Sequence, residues 1–166
     1  MNENDVKSGY VYHIKDEYFD IAKDEKLMKN YEGGAYRPTY FGIKDSKTNI
    51  LWAIPMSTQA EKYQIFINKD IKRFGKCLKI IIGEYSGKKS AFLLQNMFPI
   101  LPKYIDHIHT LAGVPVPLNS DLQTQISQNF REIISLLNRG IKVPFPDINR
   151  LEKLMLSEAS QEEKEK

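Results

Sequence analysis

One cysteine, Cys77, stands in a chain of 166 residues. That excludes an internal disulfide framework and a multi-cysteine metal centre. It fits a reducing compartment such as the cytoplasm. No apolar run reaches the roughly 20 residues that cross a bilayer. The opening Met1–Ser8 is polar and lacks the hydrophobic region of a signal peptide. The expectation is a cytoplasmic protein without membrane contact. The chain has only three histidines, His13, His107 and His109, and no HExxH spacing. On a strand His107 and His109 would face the same side, but no third ligand lies nearby in sequence. No metal and no cofactor are therefore expected. The sequence also lacks GxxxxGK[ST], GxGxxG and GxSxG. P-loop nucleotide hydrolysis and a serine nucleophile elbow are disfavoured by those absences.

Hydrophobic residues make up 42% and charged residues 27%, which is the balance of a folded chain. The length predicts one domain with a core large enough to need no disulfide or metal. The domain is expected over residues 1–157. Residues 158–166 hold four Glu and two Lys and read as a disordered charged tail. The formal net charge is +3, so the rest of the chain is more basic than the total implies. Lys69, Lys72, Arg73, Lys76, Lys79, Lys88 and Lys89 fall within 21 residues, against Asp70 and Glu84 alone. Such a stripe can bind a polyanion, or it can simply be a solvated strand-and-turn surface.

Gly9–Ile14 reads as a first strand by its aromatic and β-branched content. Glu17–Asn30 reads as a short helix, and 31–38 as a glycine- and proline-marked loop. Thr39–Asp45 and Ile50–Met56 form a hairpin, followed by a polar loop at Ser57–Lys62. Cys77–Tyr85 and Ser90–Phe98 are a second strand pair, apolar on both faces. Five strands with short turns predict a small curled antiparallel sheet or barrel. A long helix begins at the capping box Ser120–Gln123 and carries Leu122, Ile126, Phe130, Ile133, Ile134 and Leu137 to a stop at Gly140. Asp147 caps a further helix with Ile148, Leu151, Leu154 and Met155 on its apolar face. These stripes are core.

One polar constellation stands out. Pro55–Tyr63 leaves a buried strand and places Ser57, Thr58 and Lys62 at its exit, where site residues tend to sit. Arg37 lies just before the partner strand, so the hairpin can bring it close. Hydroxyls beside a cation suit a phosphodiester: the cation offsets the charge that develops on phosphorus, and the hydroxyls donate to its oxygens. Tyr36 and the other tyrosines of the N-terminal quarter offer faces on which bases stack. The plain alternative is local, with Ser57 or Thr58 capping a helix.

These residues resemble a known family, the type III toxin–antitoxin endoribonucleases ToxN and AbiQ, and most closely their CptN branch. Val11–Ile14 followed by Tyr18 resembles the family's opening strand and tyrosine. Arg37–Ile43 resembles its basic residue leading into an aromatic strand. Ile54-Pro-Met-Ser-Thr58 is similar to its Pro-Leu-Thr-Ser signature, and Leu93–Ile100 to its Asn-containing strand. The match spans residues 10–156 and rests on the order of the motifs.

The resemblance implies an α+β fold, an SH3-like antiparallel barrel of the Kid/MazF type with added helices and a long C-terminal helix. It implies metal-independent RNA cleavage by the substrate's 2′-hydroxyl, leaving a 2′,3′-cyclic phosphate and a 5′-hydroxyl. It implies cellular RNA substrates and a pseudoknotted repeat RNA antitoxin that silences the toxin in a closed protein–RNA hetero-oligomer. Ser57 and Thr58 take the paired-hydroxyl positions, Tyr18 the tyrosine and Arg37 the basic residue. The family's lysine comes almost directly after its hydroxyl pair. Here that place is Ala60, and Lys62 must reach the site by a helical turn from Thr58. Tyr36 and the basic stripe are expected to bind RNA. His13 could act as an acid or base, with an ordinary pKa near ~6.5. Two further readings share parts of this pattern: a non-catalytic RNA-binding barrel and a protein-interaction domain.

Overall fold

The computed structural model describes residues 1–2 and 5–166; Glu3 and Asn4, in the polar opening segment, lie outside the described residues. The chain begins with β1 (Tyr10–Ile14), α1 (Asp16–Ala22), β2 (Tyr31–Glu32), β3 (Ala35–Tyr36), β4 (Thr39–Lys44) and β5 (Leu51–Ser57). It continues with α2 (Ala60–Phe74), β6 (Ile80–Tyr85), β7 (Lys88–Leu93), β8 (Phe98–Ile100) and β9 (Ile105–Ile108). It ends with β10 (Thr110–Leu111), β11 (Val114–Pro115), α3 (Ser120–Asn138) and α4 (Ile148–Glu165).

Strand β5 is the axis of the main sheet. On one side it pairs antiparallel with β4, then β1, then β9. Its other side is divided: Leu51–Ala53 pair with β8, and Met56–Ser57 pair with β7. Beyond β7 lies β6, joined through Ser86 and Gly87, both with positive φ (56° and 76°). Two such residues form the tight turn whose twist suits a hairpin. The fold is therefore α+β on an antiparallel sheet, but the expected barrel is not closed. The main sheet begins at β6 and ends at β9, and no ladder joins the two. The divided edge of β5 is the local reason. A short 3₁₀ turn at Leu94–Asn96 separates β7 from β8, so the strand run expected at Ser90–Phe98 becomes two ladders rather than one continuous wall.

Period-two alternation sorts the sheet's side chains onto two faces. Val11, Tyr40, Trp52 and Ile54 meet Leu122, Ile126, Phe130 and Ile133 of α3. Their neighbours Tyr12, Phe41, Leu51 and Ala53 meet α1 and, on α4, Leu151 and Met155. A smaller cluster seats Tyr63 of α2 against Ile80, Ala91 and Leu93. The β6–β7 hairpin is thus covered on both faces, which explains its continuous apolar runs. Gly42 sits at a bulge in β4, where an added Cβ would lie 2.0 Å from the Tyr40 hydroxyl.

Three local expectations change. Helix α1 ends at Ala22, because Lys23 takes a left-handed φ of 47° and Asp24 turns the chain by accepting from Lys26 N–H at 2.8 Å. The segment after Ser57 becomes α2, a helix that buries only Ala60 and Tyr63. Residues 158–165, expected as a tail, continue α4. Lys103 pairs there with Glu158 at 2.6 Å and Glu162 at 3.0 Å, and the Tyr104 hydroxyl donates to Glu158. The caps are close to expectation. Asp147 accepts from Arg150 N–H at 3.2 Å, and α3 is capped one residue early, by Asn119 accepting from Leu122 N–H at 2.8 Å.

Candidate nucleic-acid site

The end of β5, the start of α2, the β2–β3 loop and the tip of β6–β7 surround a cavity of about 730 Å³. Arg37, Ser57, Thr58 and Lys62 all line it, with Tyr36 and Lys88. The hairpin β4–β5 is what joins the first two: Arg37 precedes β4, and Met56 N–H donates to Pro38 O at 3.1 Å. Arg37 is held by its surroundings. Its Nε donates to Lys29 O, its Nη1 to Met56 O (each 3.0 Å), and its Nη2 to Glu32 at 2.9 Å. A guanidinium has five N–H donors, so two remain for a ligand. Glu32 offsets part of its charge.

Ser57 Oγ accepts from Gln59 N–H at 3.2 Å, just ahead of α2. Ser57 thus braces a turn before the helix but does not cap it, since the N-cap is Gln59 without a side-chain bond, and the Ser57 hydroxyl hydrogen is still available to a ligand. Thr58 is exposed. Lys62 lies in the first turn of α2 with its ammonium 5.4 Å from the Tyr63 ring centroid. Helix α2 begins at Ala60, after both hydroxyls, so the turn expected over Ser57–Lys62 is helical only in its second half, and Lys62 shares the cavity lining with Ser57 and Thr58.

Tyr18 does not reach this cavity. It is fully buried, its hydroxyl donates to Pro99 O at 2.8 Å, and its ring stacks on Phe98. Burial pushes its hydroxyl well above the usual phenol range. The cause is that α1 turns inward after β1, which carries Tyr18 into the core.

The basic stripe is not one surface. Lys69, Lys72 and Arg73 are exposed along α2, whereas Lys88 and Lys89 open β7. Lys76 is paired with Glu132 at 3.0 Å and Lys79 with Asp70 at 3.5 Å. Phe66 and Phe74 are exposed on α2 beside cations, Lys69 at 5.8 Å and Arg73 at 4.9 Å from their ring centroids.

Tyr63, which closes the polar segment, lines the cavity too, as do Tyr85, Ser90 and His109, which the sequence did not single out for the site. His109 belongs to a cluster built by the β1–β9 ladder. His13 and His107 are paired across it, with stacked rings 4.7 Å apart. His13 Nε2 and His109 Nδ1 share a hydrogen bond of 2.9 Å. Burial, then His107 and His109, lower His13 from 6.5 to about 4. Burial and then His107 also lower His109. Among the described residues, no three His, Cys, Asp or Glu side chains are arranged to hold a metal ion.

No protein-family model matches the chain, and no curated protein does. Solved structures do. One is ToxN, from a bacterial antiviral system regulated by a processed non-coding RNA. It aligns with a TM-score of 0.66 and 12% identity, covering 88% of this chain and 96% of its own. Another is AbiQ, a lactococcal anti-phage endoribonuclease of a type III toxin–antitoxin system. It aligns with a TM-score of 0.60 and 14% identity, covering 95% of this chain and 99% of its own. The resemblance read from the motifs thus holds in three dimensions: the chain has the fold of the type III toxins ToxN and AbiQ over nearly its whole length.

Proposed function

We propose that this protein is the toxin of a type III toxin–antitoxin system, an endoribonuclease that works without a metal. The observation that carries the reading is the cavity uniting Arg37, Ser57, Thr58 and Lys62 at the end of β5. Two cations and two hydroxyls converge there, the groups a phosphodiester needs as charge builds on its oxygens. The shared fold with AbiQ supports the same class of activity.

In this reading the substrate's 2′-hydroxyl attacks the adjacent phosphorus. The bond to the 5′-oxygen breaks, leaving a 2′,3′-cyclic phosphate and a 5′-hydroxyl. Lys62 and the two spare N–H groups of Arg37 hold the phosphate. Ser57 and Thr58 position the phosphate and pass the proton of the 2′-hydroxyl on to the leaving 5′-oxygen. Lys88 at the cavity's edge continues the path of the RNA backbone towards Lys89. Lys69, Lys72 and Arg73 offer a second basic face on α2, where Phe66 and Phe74 supply stacking surfaces. The silencing partner is an RNA pseudoknot that fills the same cavity in a closed protein–RNA assembly. Tyr18 has no part in the chemistry.

The test is end-group analysis of RNA incubated with RNA-free protein in EDTA, beside the Ser57→Ala/Thr58→Ala double variant. Cyclic phosphate ends from the wild type alone are expected. RNA retained by both proteins but cleaved by neither would favour a non-catalytic RNA-binding domain.

A further inference from the structure

The histidine cluster carries an inference about the proposed site that no motif in the sequence points to, and it rests on the RNA-cleavage reading. His109 lines the cavity with the hydroxyls and cations. One of its two ring nitrogens, Nδ1, is taken by His13 Nε2 at 2.9 Å. Nε2 is the nitrogen left for a substrate. The other nitrogen of His13, Nδ1, is buried and has no hydrogen-bond partner.

That unpartnered atom decides where the protons sit. Two neutral rings share two protons among four nitrogens. In one arrangement His13 carries its proton on Nδ1, which buries an N–H with no acceptor. Orphaned buried N–H groups are rare and costly, more so than a bare acceptor. In the other arrangement His13 Nδ1 is bare and Nε2–H donates to His109 Nδ1. The proton of His109 must then be on Nε2, the ring nitrogen that His13 does not engage.

We propose that His109 is a neutral hydrogen-bond donor to the scissile phosphate, held in its Nε2–H tautomer by His13. His109 would touch the substrate and is a catalytic residue in that sense; His13 is a positioning residue. Neutral donors of this kind stabilise developing oxyanion charge without titrating in the working range. Burial and the crowded imidazoles keep both rings uncharged at pH 7. The groups around His109 are consistent with that. They are His13 on β1, His107 on β9, Tyr85 on β6 with its ring centroid 6.3 Å away, and Lys88, which lines the same cavity. No carboxylate contacts the His109 ring to favour its charged form.

The experiment has two arms. The first is ¹⁵N-resolved imidazole NMR of RNA-free protein from pH 5 to 8. The expected result is a neutral His109 ring with its proton on Nε2, titrating below the ordinary histidine value. In His13→Phe, the preference for that tautomer is lost. A proton on Nδ1 of His109 in the wild type, or titration of His109 near its ordinary pKa, overturns the assignment. The second arm is single-turnover cleavage of a labelled mixed-sequence RNA. His109→Ala is expected to lose about 10²–10³-fold in rate, the usual loss for one oxyanion donor, with the loss falling on rate far more than on RNA affinity. His109→Gln, whose amide can still donate, recovers most of that loss. Equal rates for wild type and His109→Ala overturn the catalytic role while leaving the nuclease reading intact. If the wild type cleaves no RNA, the nuclease reading falls, and the NMR arm still judges the tautomer.

Discussion

Tyr18 shows how a residue's chemistry can be right while its address is wrong. A tyrosine after the first strand matches the family pattern, yet its hydroxyl is spent on Pro99 O in the core. Tyr18→Phe should therefore cost about 1 kcal/mol of stability, the worth of one buried hydrogen bond. Denaturant melts would measure it, and cleavage should continue at the wild-type rate. His13 makes the opposite point. In the sequence it stands as a lone acid or base; in the fold it belongs to a cluster. Its lowered pKa means that the neutral form is favoured by folding. The associated stability is fully present above the ordinary value of 6.5 and is lost as pH falls towards about 4. Urea melts between pH 7 and 4 should show the loss, and His13→Gln should flatten that part of the profile.

Helix α2 was the element least legible in the sequence. Ala60, Tyr63, Ile67, Ile71 and Phe74 share one helical face, but only its first turn is buried. Tyr63 faces the β6–β7 hairpin, while Ile65, Phe66, Ile71 and Phe74 are exposed. The helical period is present in the sequence; how little of that face the fold covers is decided by the packing of α2 on the β6–β7 hairpin. By contrast, α3 and α4 each bury an apolar stripe and both were readable, α4 with its Asp147 cap and α3 one residue off, its cap being Asn119. The basic run was visible as composition, but its division was not. Lys76 and Lys79 are neutralised by Glu132 and Asp70, carboxylates that only the folded chain brings near them. Reversing Lys72 and Arg73 to Glu on α2 should thus weaken RNA binding and lower its salt slope by about one to two units. Lys76→Glu should do less. Binding isotherms at several salt concentrations, made in the Ser57→Ala/Thr58→Ala background, separate the two cases.

For the whole molecule, both faces of one sheet are covered, so the layers depend on each other. Met155 on α4 is fully buried under the face opposite α3. Met155→Ala should cost about 2–5 kcal/mol. Unfolding should stay a single transition, because no layer has a core of its own. Per folded molecule, cleavage should be unchanged, since α4 lines no part of the cavity. Fluorescence of Trp52, which packs on Phe130 of α3, reports on the opposite face and should follow the same transition as circular dichroism.

By itself the sequence determined the α+β class, the two hairpins, the helices α3 and α4, and the closeness of Arg37 to Ser57 and Thr58. Those follow from local rules: alternation, capping, turn residues, and the short chain path across one hairpin. The open sheet, the burial of Tyr18, the division of the basic stripe and the arrival of His109 beside the hydroxyls were decided only by tertiary structure. His13 and His109 stand 96 residues apart and meet through the pairing of β1 with β9. Pairing between distant strands is set by which faces can be buried together, and that balance exists only once the whole core has formed.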